Sequence, residues 1–327
     1  MKLWKAIILM IIAGYFISCE TGSFDYEAPA DFAIIFRTGF EPSEASGTPD
    51  NAHNEIRFEN TAPFPTPQHI YIPRPAATNI SYEGGAFDDR YARIIEDPSQ
   101  AGNHVLHFWL RNATIPASNV PHHKGRVQHN FGWNGHSEGD VLVELYSRQR
   151  IRLHPDFGMM MEYNGTDDWW LEPMIHELWM EGGGKSSRIG IYVIEANPGM
   201  LQLAASLSYK NTGEKTWRPG WETLGSVEIP IDEWFTMEVG WRMGDEQTGR
   251  FILTIQTSDD SAPKTAIDVS DWTYNPESRR PIPLSKWNPQ KLYASDNIVH
   301  FIRDNGGVLQ IYFDDFEFAD SLPEGWE

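Results

Sequence analysis

The chain has 327 residues, 40% of them hydrophobic, which is enough for a sizeable core and too many for a disordered chain. Its formal net charge is −20, so it lacks the broad basic surface that nucleic acid binding requires. Aromatic residues make up 13%, with 13 Trp, and these rings either fill a core or offer their faces to a ligand such as a sugar.

The N-terminus opens with the basic "MKLWK" and the apolar "AIILMIIAGYFI", too short to span a bilayer and suited to a secretory leader. Ser18-Cys19 follows, and Cys19 is the one cysteine of the chain, so no disulfide forms within it. The arrangement resembles a Bacteroidota-type lipoprotein lipobox, with Phe16 where Leu is usual. It implies lipidation at Cys19 and anchoring at a bacterial outer membrane or cell surface. The other reading is an ordinary leader with a chance cysteine. Residues 1–18 are expected to be the leader, 19–31 ("ETGSFDYEAPAD" and its cysteine) a polar tether, and 32–327 one domain. Sequons at Asn79, Asn112 and Asn164 are coincidence in a bacterial chain and glycan sites in a eukaryotic one.

From Phe32 to Phe318 short apolar-alternating runs are divided by Gly, Pro, Asn and Asp: "HVLHFWLRN", "GRVQHNF", "VLVELYSRQRIRL", "PMIHELWME", "RIGIYVIEA", "WFTMEVGWRM" and "LQIYFDDFEF" among them. Many strands at even spacing predict an all-β sandwich of the jelly-roll kind. "SDNIVHFIRDNGG" predicts one short helix, and "NGG" and "DEQTGR" suit hairpin turns. The first and last strands, "FRTGFEP" and "IYFDDFEFA", are expected side by side. That would bring Glu41 near Asp314 or Asp315, either as oxygen ligands of a structural Ca²⁺ or as an acidic solvated turn.

Four runs carry candidate chemistry. In "GRVQHNF" Arg126, Gln128 and Asn130 share one strand face, and Val127, His129 and Phe131 the other. In "YSRQRIRLH" Arg148, Arg150, Arg152 and His154 share a face. This is either a grip for the carboxylates of an acidic polysaccharide or a charged outer surface. In "MIHELWME" Met174, His176 and Leu178 alternate with Ile175, Glu177 and Trp179, and His176 is either a proton carrier or a structural histidine. "SKWNPQKLYAS" brings Lys291 and Tyr293.

In this order the runs resemble polysaccharide lyases of the heparin-lyase-I and alginate-lyase type, which share a concanavalin A-like jelly roll. "GRVQHNF" is similar to their Arg-x-Glu/Gln strand, "MIHELW" to their Gln-x-His strand and "QKLYAS" to their Lys-and-Tyr strand. Met174 stands where the family has Gln, and the Lys-to-Tyr spacing is shortened. The resemblance spans roughly Phe32 to Phe318. It implies β-elimination on an acidic, uronate-containing polysaccharide with no required cofactor. Arg126 and Gln128 would neutralise the uronate carboxylate, and His176 and Tyr293 would move the protons. Asn130, Arg148, Arg150, Lys291, Trp133 and Trp179 would bind substrate.

Two rivals stand beside this. "HSEGDVLVE", with Glu138, Asp140 and Glu144, resembles a laminarinase-type hydrolase signature, and Glu177 with Glu181 is a second same-face carboxylate pair. A noncatalytic glycan-binding lipoprotein would need only ring platforms, for which Trp133, Trp169, Trp170, Trp217 and Trp221 are available.

Overall fold

The computed structural model describes residues 36–40, 45–46, 57–58, 78–83, 87–116, 123–132, 142–163 and 172–326. In chain order the strands are β1 (Phe36–Thr38), β2 (Ala45–Ser46), β3 (Arg57–Phe58), β4 (Thr78–Glu83), β5 (Arg90–Glu96), β6 (His104–Leu110), β7 (Ile115–Pro116), β8 (His123–Gly132), β9 (Glu144–Leu153) and β10 (Met174–Gly182). There follow β11 (Lys185–Asn197), β12 (Met200–Asn211), β13 (Arg218–Glu228), β14 (Trp234–Arg242), β15 (Arg250–Gln256), β16 (Lys264–Val269), β17 (Leu284–Asn288), β18 (Lys291–Ser295) and β19 (Leu309–Ala319).

Two antiparallel sheets hold nearly all of them. The first runs β16-β15-β14-β9-β19-β6-β5, with β1 also on β19. The second runs β13-β12-β11-β10-β17-β8-β18, with β4 and β7 on β8 and β10 also touching β18. This is the all-β jelly-roll sandwich expected from the alternating runs. The expected pairing of the chain's ends is present: β1 lies on β19 with Phe36 opposite Phe318 and Thr38 opposite Phe316.

Alternation sends one side of each strand into the space between the sheets. Val127 and Phe131 of β8, Ile151 and Leu153 of β9, Ile189 and Ile191 of β11, and Phe316 and Phe318 of β19 are all at most 3% exposed and form one cluster. Phe131 touches Phe36, Trp287, Phe316 and Phe318 with ring centroids 5.4–6.2 Å apart, so aromatic contacts tie the sheets together at this point.

Local chemistry sets the registers. Gly183 and Gly184, with φ of 56° and 78°, make the two-residue turn between β10 and β11, a conformation that demands positive φ at both positions. Asp245 accepts from the backbone of Gln247 and Thr248 and closes the loop from β14 to β15, as "DEQTGR" predicts. The expected helix is α1 (Asp296–Asp304), which buries Ile298, Val299 and Ile302. "NGG" ends that helix, with Gly306 at φ 90°, and does not form a hairpin. A 3₁₀ helix over Pro155–Glu162 was not visible in the sequence pattern.

Candidate active site

Strand β8 divides as its sequence predicts. Val127, His129 and Phe131 enter the core, and Arg126, Gln128 and Asn130 project from the outer face of the second sheet. On β10 Leu178 and Met180 belong to the core cluster, so Glu177 and Trp179 take the outer face. Successive strands then line up a row across the sheet: Glu83, Arg126, Tyr293, Met174 and Tyr192 are register partners in turn.

Lys291 and Tyr293 reach this face because of a bulge. β17 and β18 are two halves of one strand. Trp287 faces Phe131 before the break and Lys291 faces Gln128 after it. Three residues, Asn288, Pro289 and Gln290, therefore oppose only His129 and Asn130. One inserted residue inverts which side chains point outward. Asn288 is outward, so an unbroken strand would send Leu292 and Ala294 outward. Instead both are fully buried in the core, and Lys291 and Tyr293 take the outer face. Pro289 suits the break, since it has no N–H to give to a ladder.

The floor so formed is a charged network. The Lys291 ammonium bonds the Glu177 carboxylate, and the other Glu177 oxygen lies 3.5 Å from Arg188 Nη1. Lys291 is 2% exposed and Glu177 0%. Burial pulls the Lys291 ammonium down to about 8, against the opposing pull of Glu177. Burial alone would raise the Glu177 carboxyl, but the charges of Lys291 and Arg188 outweigh it and hold Glu177 below its ordinary value. Burial pushes the Tyr293 phenol up to about 12, with Arg188 opposing. The Lys291 ammonium sits 5.4 Å from the centre of the Tyr293 ring.

Amides and rings surround these groups. Asn130 Oδ1 accepts from Gln128 at 2.5 Å and from Asn288 at 2.8 Å, and the Gln128 side-chain Oε1 is buried with no partner among the described residues. Arg126 donates to Glu83 at 2.5 Å. Tyr192 lies over Gly190, where a Cβ would come within 2.8 Å of the phenol oxygen, so glycine at this position leaves room for the ring. At the far side Trp217 meets Trp179 edge-on at 5.5 Å and lies 4.5 Å from the Arg188 guanidinium and 4.6 Å from the Lys210 ammonium. Arg188 bonds Ser208, and Lys210 follows two residues on, so both cations rise from the same sheet face. Trp217 covers them and is itself only half-buried.

The structure brings Arg126, Gln128, Asn130, Lys291, Tyr293 and Trp179 together. His176 does not join them. It is 0% exposed, lies on the core side of β10 with Leu178, and accepts a hydrogen bond from the indole of the buried Trp287 at 2.8 Å. Burial lowers its pKa to about 3, so it stays neutral and serves the core.

Arg148 and Arg150 do not join them either. With Arg152 they lie on the outer face of the other sheet, each held by carboxylates: Arg148 by Glu238 and Glu317, Arg150 by Asp314 and Asp315, Arg152 by Asp97 and Asp232. They form the charged outer surface of the two readings. Asp315, at φ 46°, faces Arg150, and among the described residues no three His, Cys, Asp or Glu gather as a metal set. Glu41, Cys19, Trp133, Glu138, Asp140, Trp169 and Trp170 lie outside the described residues. Glu144 is buried against Arg242, Glu181 pairs with Lys286 at the surface, and the Trp221 indole is spent on the Trp272 carbonyl. Sequence reasoning missed Arg188, Tyr192 and Asn288 as members, and took Glu177 only as half of a carboxylate pair. The alternation of Glu177 with Trp179 was the one available signal.

No family model matches the sequence, and no curated protein matches it. Among solved structures the chain is similar to an endo-β-1,4-glucuronan lyase from the fungus Trichoderma reesei, with a TM-score of 0.44 and 11% identity over 73% of this chain and 94% of that one. It is similar to the alginate lyase Aly36B, with a TM-score of 0.40 and 14% identity over 73% and 86% of the two chains. A marine alginate lyase from Aplysia kurodai gives 0.40 and 9% over 73% and 89%. The likeness is one of general shape, shared with polysaccharide lyases.

Proposed function

We propose that the chain is an exported, lipid-anchored polysaccharide lyase that cleaves a uronate-containing chain by β-elimination. The observation that carries this is the meeting of Lys291, Tyr293, Arg126 and Gln128 on one sheet face, with a lysine whose proton is loosely held. The leader and Cys19 support export and anchoring.

Elimination needs three roles. The carboxylate of the uronate must be neutralised so that its C5 proton becomes acidic, and Arg126 with the Gln128, Asn130 and Asn288 amides supplies the charge and donors. Neutral Lys291 takes the C5 proton, since His176 lies on the core side of its strand. As the C5–H bond breaks, the C4–C5 double bond forms and the C4–O4 bond breaks. The Tyr293 hydroxyl, kept protonated by its raised pKa, gives its proton to O4. Solvent then returns protons to Tyr293 and removes the one on Lys291. The Trp179–Trp217 shelf with Arg188 and Lys210 supports a further acidic sugar of the chain.

The test is ultraviolet absorbance of unsaturated uronate products on a panel of alginate, glucuronan and heparin-like chains. Absorbance should rise on at least one, and Tyr293→Phe should abolish the rise while sparing binding. A noncatalytic glycan-binding protein is the second reading. It is favoured by the engagement of Lys291 with Glu177, which resembles a brace. A flat trace on every chain, with binding retained in gel shift, selects it. For the anchor, Cys19→Ala should release the protein from the membrane fraction, and retention there would refute lipidation.

A further inference from the structure

A glutamine from the opposite sheet reaches the bulge that aims Lys291. Gln149 is in β9 of the first sheet and points inward, 2% exposed. A buried amide costs free energy unless its donors and acceptor are matched. Gln149 Nε2 donates to the Pro289 carbonyl at 2.9 Å, and Gln149 Oε1 accepts from Gln290 Nε2 at 2.7 Å. Gln290 is itself 0% exposed, and its Oε1 lies 2.8 Å from His129 Nδ1.

The direction of every bond in this strut follows from one atom. The Pro289 carbonyl can only accept, so Gln149 must give it an N–H and keep its oxygen for Gln290. Gln290 must then present its own oxygen to His129, and His129 Nδ1 must carry the proton. The buried His129, its pKa lowered to about 3, is neutral and fits that requirement. One backbone bond and one side-chain bond complete the clamp: His129 N–H donates to the Gln290 carbonyl at 2.9 Å, and Asn288 Nδ2 donates to the His129 carbonyl at 3.1 Å. All three bulge residues are therefore held, two of them by a side chain of the other sheet.

We infer that Gln149 is a positioning residue for Lys291: through Pro289 and Gln290 it fixes the one-residue bulge that keeps Lys291 on the outer face, against Glu177. The catalytic consequence rests on the lyase reading above, whereas the placement of Lys291 does not.

Gln149→Leu keeps the size and removes both bonds, leaving the Gln290 amide without its acceptor and the Pro289 carbonyl without its Gln149 donor. The measurement is the titration of the Lys291 side chain by heteronuclear NMR, which needs no substrate, beside kcat and KM. In a folded Gln149→Leu variant the Lys291 midpoint should move up towards the ordinary lysine value as the ammonium leaves its buried place. Turnover should fall at least tenfold with KM little changed. Gln149→Glu is the rescue. Its introduced carboxyl, while protonated, donates to the Pro289 carbonyl and accepts from Gln290, so the Lys291 signal should match the parent protein at low pH. The signal should depart from the parent as that carboxyl ionises. This second variant decides the matter if Gln149→Leu does not fold. An unmoved Lys291 titration in folded Gln149→Leu, or a Lys291 signal in Gln149→Glu that stays at the parent's after the introduced carboxyl has ionised, overturns the inference. A moved titration with no turnover in any protein, the parent included, supports it and refutes only the lyase reading.

Discussion

Lys291 sets a pH dependence that can be worked out in advance. A base must be neutral to take a proton, and burial brings the Lys291 ammonium to about 8. About one molecule in a hundred then has neutral Lys291 at pH 6, and half have it at pH 8. Tyr293, held near 12, keeps its proton throughout this range and adds no falling limb. The ratio kcat/KM reports the free enzyme, so it should climb about fiftyfold between pH 6 and pH 8, and about another twofold before it levels above about pH 9. Initial rates of product absorbance at constant ionic strength, with substrate well below KM, measure it. Glu177 raises the lysine's pKa, so Glu177→Gln should shift the climb to lower pH. A profile that is flat or falls between pH 6 and pH 8, or a Glu177→Gln limb displaced upward, would refute Lys291 as the base.

Two further outcomes are expected. His107, His129 and His176 are buried, with pKa values lowered to about 3 from 6.5. The unfolded chain therefore binds protons that the folded one does not, and this part of the stability is present above about pH 6.5 and lost as pH falls towards 3. At pH 5 each histidine costs about 2 kcal/mol, so the urea midpoint should drop steeply between about pH 7.5 and pH 5. Equal midpoints would show that these rings are not buried neutral. Trp217→Ala should weaken oligosaccharide binding about tenfold, or 1.4 kcal/mol, as read by calorimetry on an inactive Tyr293→Phe background. Unchanged affinity would remove the shelf from the site.

The fold was legible because it rests on repetition. Alternation in "GRVQHNF" gave both the strand and its faces, since Val127 and Phe131 are apolar and their neighbours are not. The same rule placed His176 beside Leu178, the side that proved to be core. Ile175 and Trp179 are apolar as well, so alternation does not say which side faces inward, and the irregularity between Met174 and His176 sends Ile175 into the core too. Arg148, Arg150 and Arg152 were correctly put on one face, but a strand's sequence does not state which of two sheets it joins. Lys291 and Tyr293 turn outward through an inserted residue in the ladder, and the local signal for it was Asn288-Pro289 in the middle of an otherwise strand-like run. Arg188 and Tyr192 come from a strand that carried no recognisable motif, and only the tight Gly183–Gly184 turn brings them alongside Glu177.

Gln149 and Gln290 are 141 positions apart in the chain. Contacts of such separation close late, after the intervening strands have docked. The second sheet formed alone would lack the clamp on its central bulge, so neither half of the molecule is sufficient to hold Lys291 against Glu177. Any truncated or partly folded form that has lost β9 is thereby denied the geometry of the site, however complete its own sheet.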